Sequence, residues 1–346
     1  MTNNYTLANN KAKLKVGGGY TYKQRDYEIQ NFSIFTGTTN VTENVNDLFS
    51  EENFFDNENI GGLYYEPQFI PINANSYEGR IESYNAYVSN EFEPVNDLKL
   101  VVGLRVEDFN QFYTGINQAR ETFYNVAVLD DLDFFPTANV IYALNDNINV
   151  RSSFSKTIAR PSFKEASFAT IIDPLSGRTF IGGFFPDVDV ATGTQVWDGN
   201  LRSTDIYNYD VRLELYKERG QNVSISGFYK SFVNPIEIVQ YVQATNNFQP
   251  RNVGDGRVVG VELEFFKYLG DFESRLGNLG INGNVTLASS SIEMSETEFT
   301  SRVNNARVGE EVSNTREMAG QAPYIINAGI SYKTRSNNIE KVPSIM

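Results

Sequence analysis

Three carboxylates flank the chain's single tryptophan in PDVDVATGTQVWDGN, residues 186–200: Asp187, Asp189 and Asp198 beside Trp197. Carboxylate oxygens on a loop are the ligands Ca²⁺ takes. The spacing departs from an EF-hand loop and lacks its closing glutamate, so a solvated acidic loop is the plain alternative, and no cofactor is expected. Just upstream, Phe180, Phe184 and Phe185 could join Trp197 in an aromatic surface for ligand contact. A second segment, NDLFSEENFFDNENIGGLYYEP at 46–67, is both acidic and aromatic. It could hold a cationic or sugar ligand by carboxylate contacts and stacking, or simply be an acidic surface. Arg160, in FSKTIARPSFKE, could pair with a loop carboxylate or with an anionic ligand.

What is missing narrows the chemistry further. The 346 residues include no His and no Cys. Serine–histidine catalysis, histidine-held zinc, thiolate nucleophiles and disulfides are therefore excluded. Carboxylate chemistry survives, yet no pair of acids stands out as a catalytic constellation, and an enzyme is not expected. Lys and Arg number 29 against 43 Asp and Glu, a net charge of −14. That balance argues against a nucleic-acid partner, whose phosphates need clustered cations.

The elements that must carry these residues have a period of two. In KLVVGLRVEDF, Leu100, Val102, Leu104 and Val106 oppose Lys99, Val101, Gly103, Arg105 and Glu107. In DIYNYDVRLELYK, Tyr207, Tyr209, Val211, Leu213 and Leu215 oppose Asn208, Asp210, Arg212 and Glu214. RVVGVELEFFKYL sets Val259, Val261, Leu263 and Phe265 against Gly260, Glu262 and Glu264. Such alternation predicts half-buried strands, about ten of them along the chain. The 25 Phe and 20 Tyr suit strands, and several cluster near strand ends. No apolar run approaches the roughly 18 residues of a membrane helix, and the polar start MTNNYTLANNKAK has no apolar core of a signal peptide.

Connections between the predicted strands alternate in length. Short ones fall at 93–97, 145–147, 218–221 and 270–278. Long ones fall near 29–79, 114–132, 160–204, 241–250 and 295–321. In a meander this sorting puts every long loop at one end, as in outer-membrane barrels with short periplasmic turns and long extracellular loops. A soluble sandwich or lipocalin-like barrel is the bland alternative, but its strands are usually about five or six residues long. Those predicted here are longer and match a tilted crossing of roughly 9–11 residues. Strands at 12–28, 98–113, 148–159, 222–240 and 280–294 then run outward. Those at 80–92, 133–144, 205–217, 251–268 and 322–333 run inward. Pro161 sits where an outward strand becomes loop, so its missing N–H costs little. The lumen-facing set Lys99, Arg105, Glu107, Arg212, Glu214, Glu262 and Glu264 is expected to satisfy itself across a wet interior, or to line a transport path.

Several segments, in order, resemble the barrel of TonB-dependent outer-membrane receptors, especially the Bacteroidota type. They are SSFSKTIARPSFKEAS, GNLRSTDIYNYDVRLELY (199–216), VSISGFYKSFVNPIE (223–237), NVGDGRVVGVELEF (252–265) and REMAGQAPYIINAGISY (316–332). The match covers about 80–333. It implies uptake across the bacterial outer membrane of a large scarce nutrient, of the siderophore, oligosaccharide, peptide or cobalamin class. Implied partners are outer-membrane lipid, the extracellular ligand, and the TonB complex acting through a plug domain. The family's barrel has about 22 strands behind a plug, whereas these residues offer no plug and a polar, non-barrel tail at 334–346. The expectation is an all-β antiparallel meander over 1–333, part of a transmembrane β-barrel with an open or incompletely closed sheet. A passive porin or adhesin-like barrel is the competing reading.

Overall fold

Period-two alternation becomes eleven wall strands in the computed structural model. They are β1 (Thr2–Leu7), β2 (Asn10–Tyr27), β3 (Tyr77–Val95), β4 (Leu98–Ile116), β5 (Thr122–Asn145), β6 (Ile148–Ala159), β7 (Thr204–Tyr216), β8 (Asn222–Val233), β9 (Gly256–Tyr268), β10 (Leu279–Glu293) and β11 (Tyr324–Tyr332). The structure describes residues 1–333 apart from 8–9, 40–43, 68–72, 174, 190–191, 241–243, 245 and 272–275, so the tail expected at 334–346 lies outside the described residues. Each strand pairs antiparallel with the next, and the two-residue strand Thr315–Arg316 adds to the top of β10. Among the described residues β1 and β11 do not pair with one another, so the sheet is open.

The sheet is inside-out. Val102, Leu213 and Val261 stand 44%, 44% and 50% exposed on the convex face. In water so much exposed apolar surface would be untenable; against hydrocarbon it is the required arrangement. Among the described residues no helix is long and apolar enough to cross a membrane. Crossing by strands instead satisfies backbone groups between neighbours. Tyr20 and Tyr84, both 54% exposed, stack with centroids 4.7 Å apart at the outer end of the apolar band.

Three elements depart from the sequence expectation. The polar start forms β1, pairing Thr2 with Lys15 through Leu7 with Asn10. Backbone pairing, with the Tyr5 hydroxyl donating to Asn90 Oδ1 at 3.0 Å, holds this edge, so no apolar pattern marked it. The expected long loop 114–132 is mostly strand: β4 and β5 continue outward and turn at 117–121, where Asn117 Oδ1 accepts the Ala119 and Glu121 N–H groups at 2.9 Å. The expected strand 222–240 breaks at Asn234 (φ 53°) and Pro235. Its second half, Ile236–Gln240, leaves the wall and pairs with Asn247–Asn252 in a separate loop sheet.

Beyond the membrane the alternation of β4 inverts. Leu104 and Val106 point outward within the band. Past it, Phe109 and Tyr113 are the buried residues and face inward, while Asp108 and Asn110 face water. The apolar set changes sides because the cover changes, from lipid outside to a folded loop inside.

Candidate functional site at the extracellular mouth

That folded loop begins at Arg160. Its guanidinium places Nη1 2.6 Å from Glu107 Oε1 on β4 and Nη2 2.6 Å from Asp133 Oδ2 on β5. It lies 4.0 Å from the Phe109 ring centroid. Arg105 pairs with the second oxygen of Glu107. Arg160 is therefore a structural clamp on two wall carboxylates, while its buried Nε has no hydrogen-bond partner among the described residues. After Pro161, Ser162 and Glu165 cap each other's backbone N–H groups, at 2.7 Å and 3.3 Å, and start a tight turn. The turn drops Phe163 onto Gly79, where any Cβ would collide with the ring.

The loop then builds its own core against the wall. Tyr77, Tyr113 and Ala169 are buried together, with Tyr27, Phe123, Phe163, Phe168 and Phe184 packed around them. Tyr77 stacks between Tyr27 (5.0 Å) and Tyr113 (5.7 Å). Phe184 meets Tyr113 and Phe168 edge-on at 5.3 Å and 5.2 Å, and Phe185 meets Phe168 at 5.4 Å. Phe180 lies apart from this core, with Lys164 Nζ 4.3 Å from its ring centroid. Trp197 is 8% exposed and donates Nε1–H to the Gly183 carbonyl at 2.7 Å. Phe184, Phe185 and Trp197 thus pack within the loop, and Trp197 and Asp198 also line an open cleft of about 300 Å³ beside Arg202 and Asn252.

A four-stranded loop sheet, in the order 236–240, 247–252, 179–181, 170–172, roofs this core. Gln249 is fully buried; its Nε2 donates to the Gly182 and Phe185 carbonyls, and its Oε1 accepts from Arg251. Arg251 also pairs with Asp187 at 2.6 Å. Asp189 accepts from the Thr192 N–H, and Asp198 from Asn200 N–H and Arg202. The three aspartates therefore serve separate local contacts, and among the described residues no group of three or more acids is placed to hold a metal. In the connecting turn, the Ser176 hydroxyl and Leu175 N–H hold the Asp173 carboxyl below its usual range. Arg316 ties the mouth from the other side, bridging Glu237 (2.6 Å) and Glu298 (2.8 Å).

The acidic segment 46–67 forms a separate unit based on the pairing of Phe32–Phe35 with Tyr64–Pro67. Phe35 stacks on Tyr64 at 5.1 Å, and Phe32, Phe55, Tyr64 and Tyr65 remain exposed. Below the mouth the lumen charges satisfy one another. Glu214 accepts from Arg151 (2.7 Å) and Arg212 (3.0 Å), and Arg212 reaches on to Glu264. Glu262 accepts from Asn284 and Thr286, and Glu91 pairs with Lys99.

Sequence reasoning missed Tyr27, Tyr77, Tyr113 and Phe123. These line or back an open cleft of about 660 Å³ at the rim, bounded by Asp26, Tyr27, Glu28, Asn73, Ser76, Tyr77, Glu78, Thr114, Gly115, Ile116, Thr122 and Phe123. The signal that would have found Tyr113 is the inversion of the apolar phase along β4; Tyr27, Tyr77 and Phe123 stand at the outer ends of β2, β3 and β5.

Fold and mouth together define an outer-membrane β-barrel wall with ordered extracellular loops. Residues 1–340 match the family described as TonB dependent receptor-like, beta-barrel, and the chain belongs to that family. It is an outer-membrane protein, of a family of transport receptors. No curated protein sequence matches it. Its fold is similar to that of the siderophore receptor PiuA from Acinetobacter baumannii (TM-score 0.56, 14% identity, covering 96% of this chain and 42% of that one). It is also similar to the pyoverdine receptor FpvA from Pseudomonas aeruginosa PAO1 (0.52, 15%, 97% and 38%). The ferric citrate transporter FecA gives 0.55 at 13% identity, with 96% and 38% covered. The chain therefore spans well under half the length of these three receptors.

Proposed function

We propose that this chain forms part of the wall and mouth of a receptor that binds a large scarce nutrient outside the cell and imports it with energy from TonB. The nutrient belongs to the broad class of siderophores, oligosaccharides, peptides and cobalamin. Solved receptors of similar fold carry siderophores and ferric citrate in their names. The observation that carries the reading is the mouth itself. A passive pore needs an open lumen, whereas here the 160–203 segment is clamped inward by Arg160 and roofed by a second sheet. Long loops set on a rigid scaffold are where binding resides.

The open edges at β1 and β11 must be paired in lipid, because each unsatisfied backbone group there costs several kcal/mol. Further strands of the receptor supply that pairing, and a plug domain joins the wall to TonB. The receptor works by binding and passage, not by catalysis. The test is import of ligand into cells bearing the whole receptor, with and without a functional TonB complex. Uptake that stops when TonB is removed supports the reading; uptake that continues unchanged identifies a passive porin.

A further inference from the structure

Gly227 sits in the middle of β8 on the convex, lipid-facing side, in register with Val211 and Val261. Glycine weakens a strand interior, where it marks a bulge, a sharp bend or a close approach by something else. β8 carries no register shift against β7 or β9, and Gly227 has no positive φ. A Cβ placed on it would meet no atom within 4 Å. Neither backbone geometry nor packing among the described residues calls for a glycine, and it leaves open space on the membrane side.

That space belongs to a groove of about 670 Å³ that runs from Val140 on β5 to Val261 on β9. At the usual strand spacing five strands span about 19 Å. Ser152 and Gly227 form its low points, and the rings of Phe154, Tyr209 and Tyr229 wall its outer side, with centroids 5.1 Å and 6.1 Å apart. One register row further out come Lys156, Tyr207, Ser231 and Arg257, where the apolar band gives way to polar side chains. Lys156 pairs with Asp205 at 2.9 Å. Arg257 is exposed, and its side chain has no partner among the described residues. Asp255 and Glu293 stand beyond it, just before β9 and at the end of β10, and Asp255 accepts the Asn234 N–H at 3.2 Å.

The occupant follows from the surroundings. The groove lies in the middle of the wall, several strands from the open edge at β1 and two from β11, on the face that hydrocarbon covers. Two convex walls touch along a line and would leave a groove two residue rows wide unfilled, whereas one acyl chain fits it. Transfer of the tail contributes nothing, since bulk lipid is as apolar as the groove. A bound lipid is distinguished from the bulk by dispersion contacts with a rigid groove and by a charge-assisted contact to its phosphate. Arg257 offers that contact, and the two acids beyond it oppose a head carrying several negative charges.

We propose that this groove holds one phospholipid as a resident of the wall, with an acyl chain laid over Gly227 and the phosphate on Arg257. This site is distinct from the general lipid contact of the band, and it is independent of which nutrient is imported.

The experiment is native mass spectrometry of the purified whole receptor, stripped of lipid in detergent and titrated with dipalmitoyl phosphatidylethanolamine. Dipalmitoylglycerol, with the same tails and no phosphate, is the comparison. One phospholipid binds per receptor, and the diacylglycerol binds about tenfold more weakly. Gly227→Phe folds as well as the parent, because its ring enters open space and phenylalanine suits a strand, yet it binds the phospholipid about tenfold more weakly. Arg257→Gln weakens the phospholipid about fivefold and leaves the diacylglycerol unchanged. Val16→Phe, a larger residue on the lipid face of β2 and away from the groove, leaves both unchanged. Absence of a bound phospholipid, equal binding of the diacylglycerol, or full affinity in Gly227→Phe overturns the proposal. So does a receptor dimer that Gly227→Phe dissociates, which assigns the groove to a second copy.

Discussion

Replacing Arg160 by alanine should open the mouth without dismantling the wall. Arg160 is 13% exposed at its side chain, and its partners Glu107 and Asp133 are 6% and 14% exposed. Removing one member of a buried ion pair typically costs about 3–5 kcal/mol, because it strands a desolvated charge. Glu107 keeps Arg105, so the lower end applies, about 3 kcal/mol. The loss falls on the seam between loop and wall, since the wall's ladders are untouched. A drop of that size raises the frequency of local opening roughly 150-fold. Hydrogen exchange read by mass spectrometry on the intact receptor should therefore accelerate about a hundredfold in peptides spanning 160–185, where Ala166, Gly182 and Gly183 donate backbone hydrogen bonds. Peptides from β8 and β9 should hold their rates. Arg160→Lys keeps one charge but cannot fork between two carboxylates, so it should fall between the two. Unchanged exchange in 160–185, or acceleration spread equally along the wall, would refute the clamp.

Trp197→Phe leaves the Gly183 carbonyl without its 2.7 Å donor and should cost about 1–3 kcal/mol of loop stability, measured by the same exchange assay. Gly79→Ala forces the Phe163 ring off the wall. It should destabilise the loop by about 1–3 kcal/mol, and pairing it with Phe163→Leu should recover much of that loss. The depressed Asp173 carboxyl makes the 173–178 turn acid-sensitive. Because its folded pKa lies below the unfolded one, its stabilisation is present above the ordinary aspartate value near pH ~4 and is lost as pH falls through the lowered folded value. Exchange at Gly177 N–H, corrected for the intrinsic rate, should quicken only in that acid window.

Much of the wall was legible because lipid and lumen impose opposite chemistry on alternate residues. Val259, Val261 and Leu263 needed no partner in sequence to declare their face. The outward course of β4 and β5 was hidden for the same reason. Beyond the predicted strand 98–113, at Thr122–Leu132 of β5, the cover is no longer lipid, and a pattern tuned to lipid reads as loop. β1 was hidden because an edge held mainly by backbone pairing places little demand on side chains. The break at Asn234–Pro235 was visible as a proline, but which sheet the following residues join depends on partners far away in sequence.

The site divides along the same line. Arg160 could be located at the rim from sequence, since a strand crossing outward must end near Pro161. Its role could not, because Glu107 lies 53 residues away and Asp133 lies 27 away. Trp197 and the phenylalanines looked like a recognition surface because aromatic residues on a long loop are costly to leave wet. That same cost is what drives them inward when a neighbouring wall offers Tyr77 and Tyr113 to pack against. Tyr27 and Phe123, which line the cleft, come from wall strands and pack on Tyr77 and Phe168.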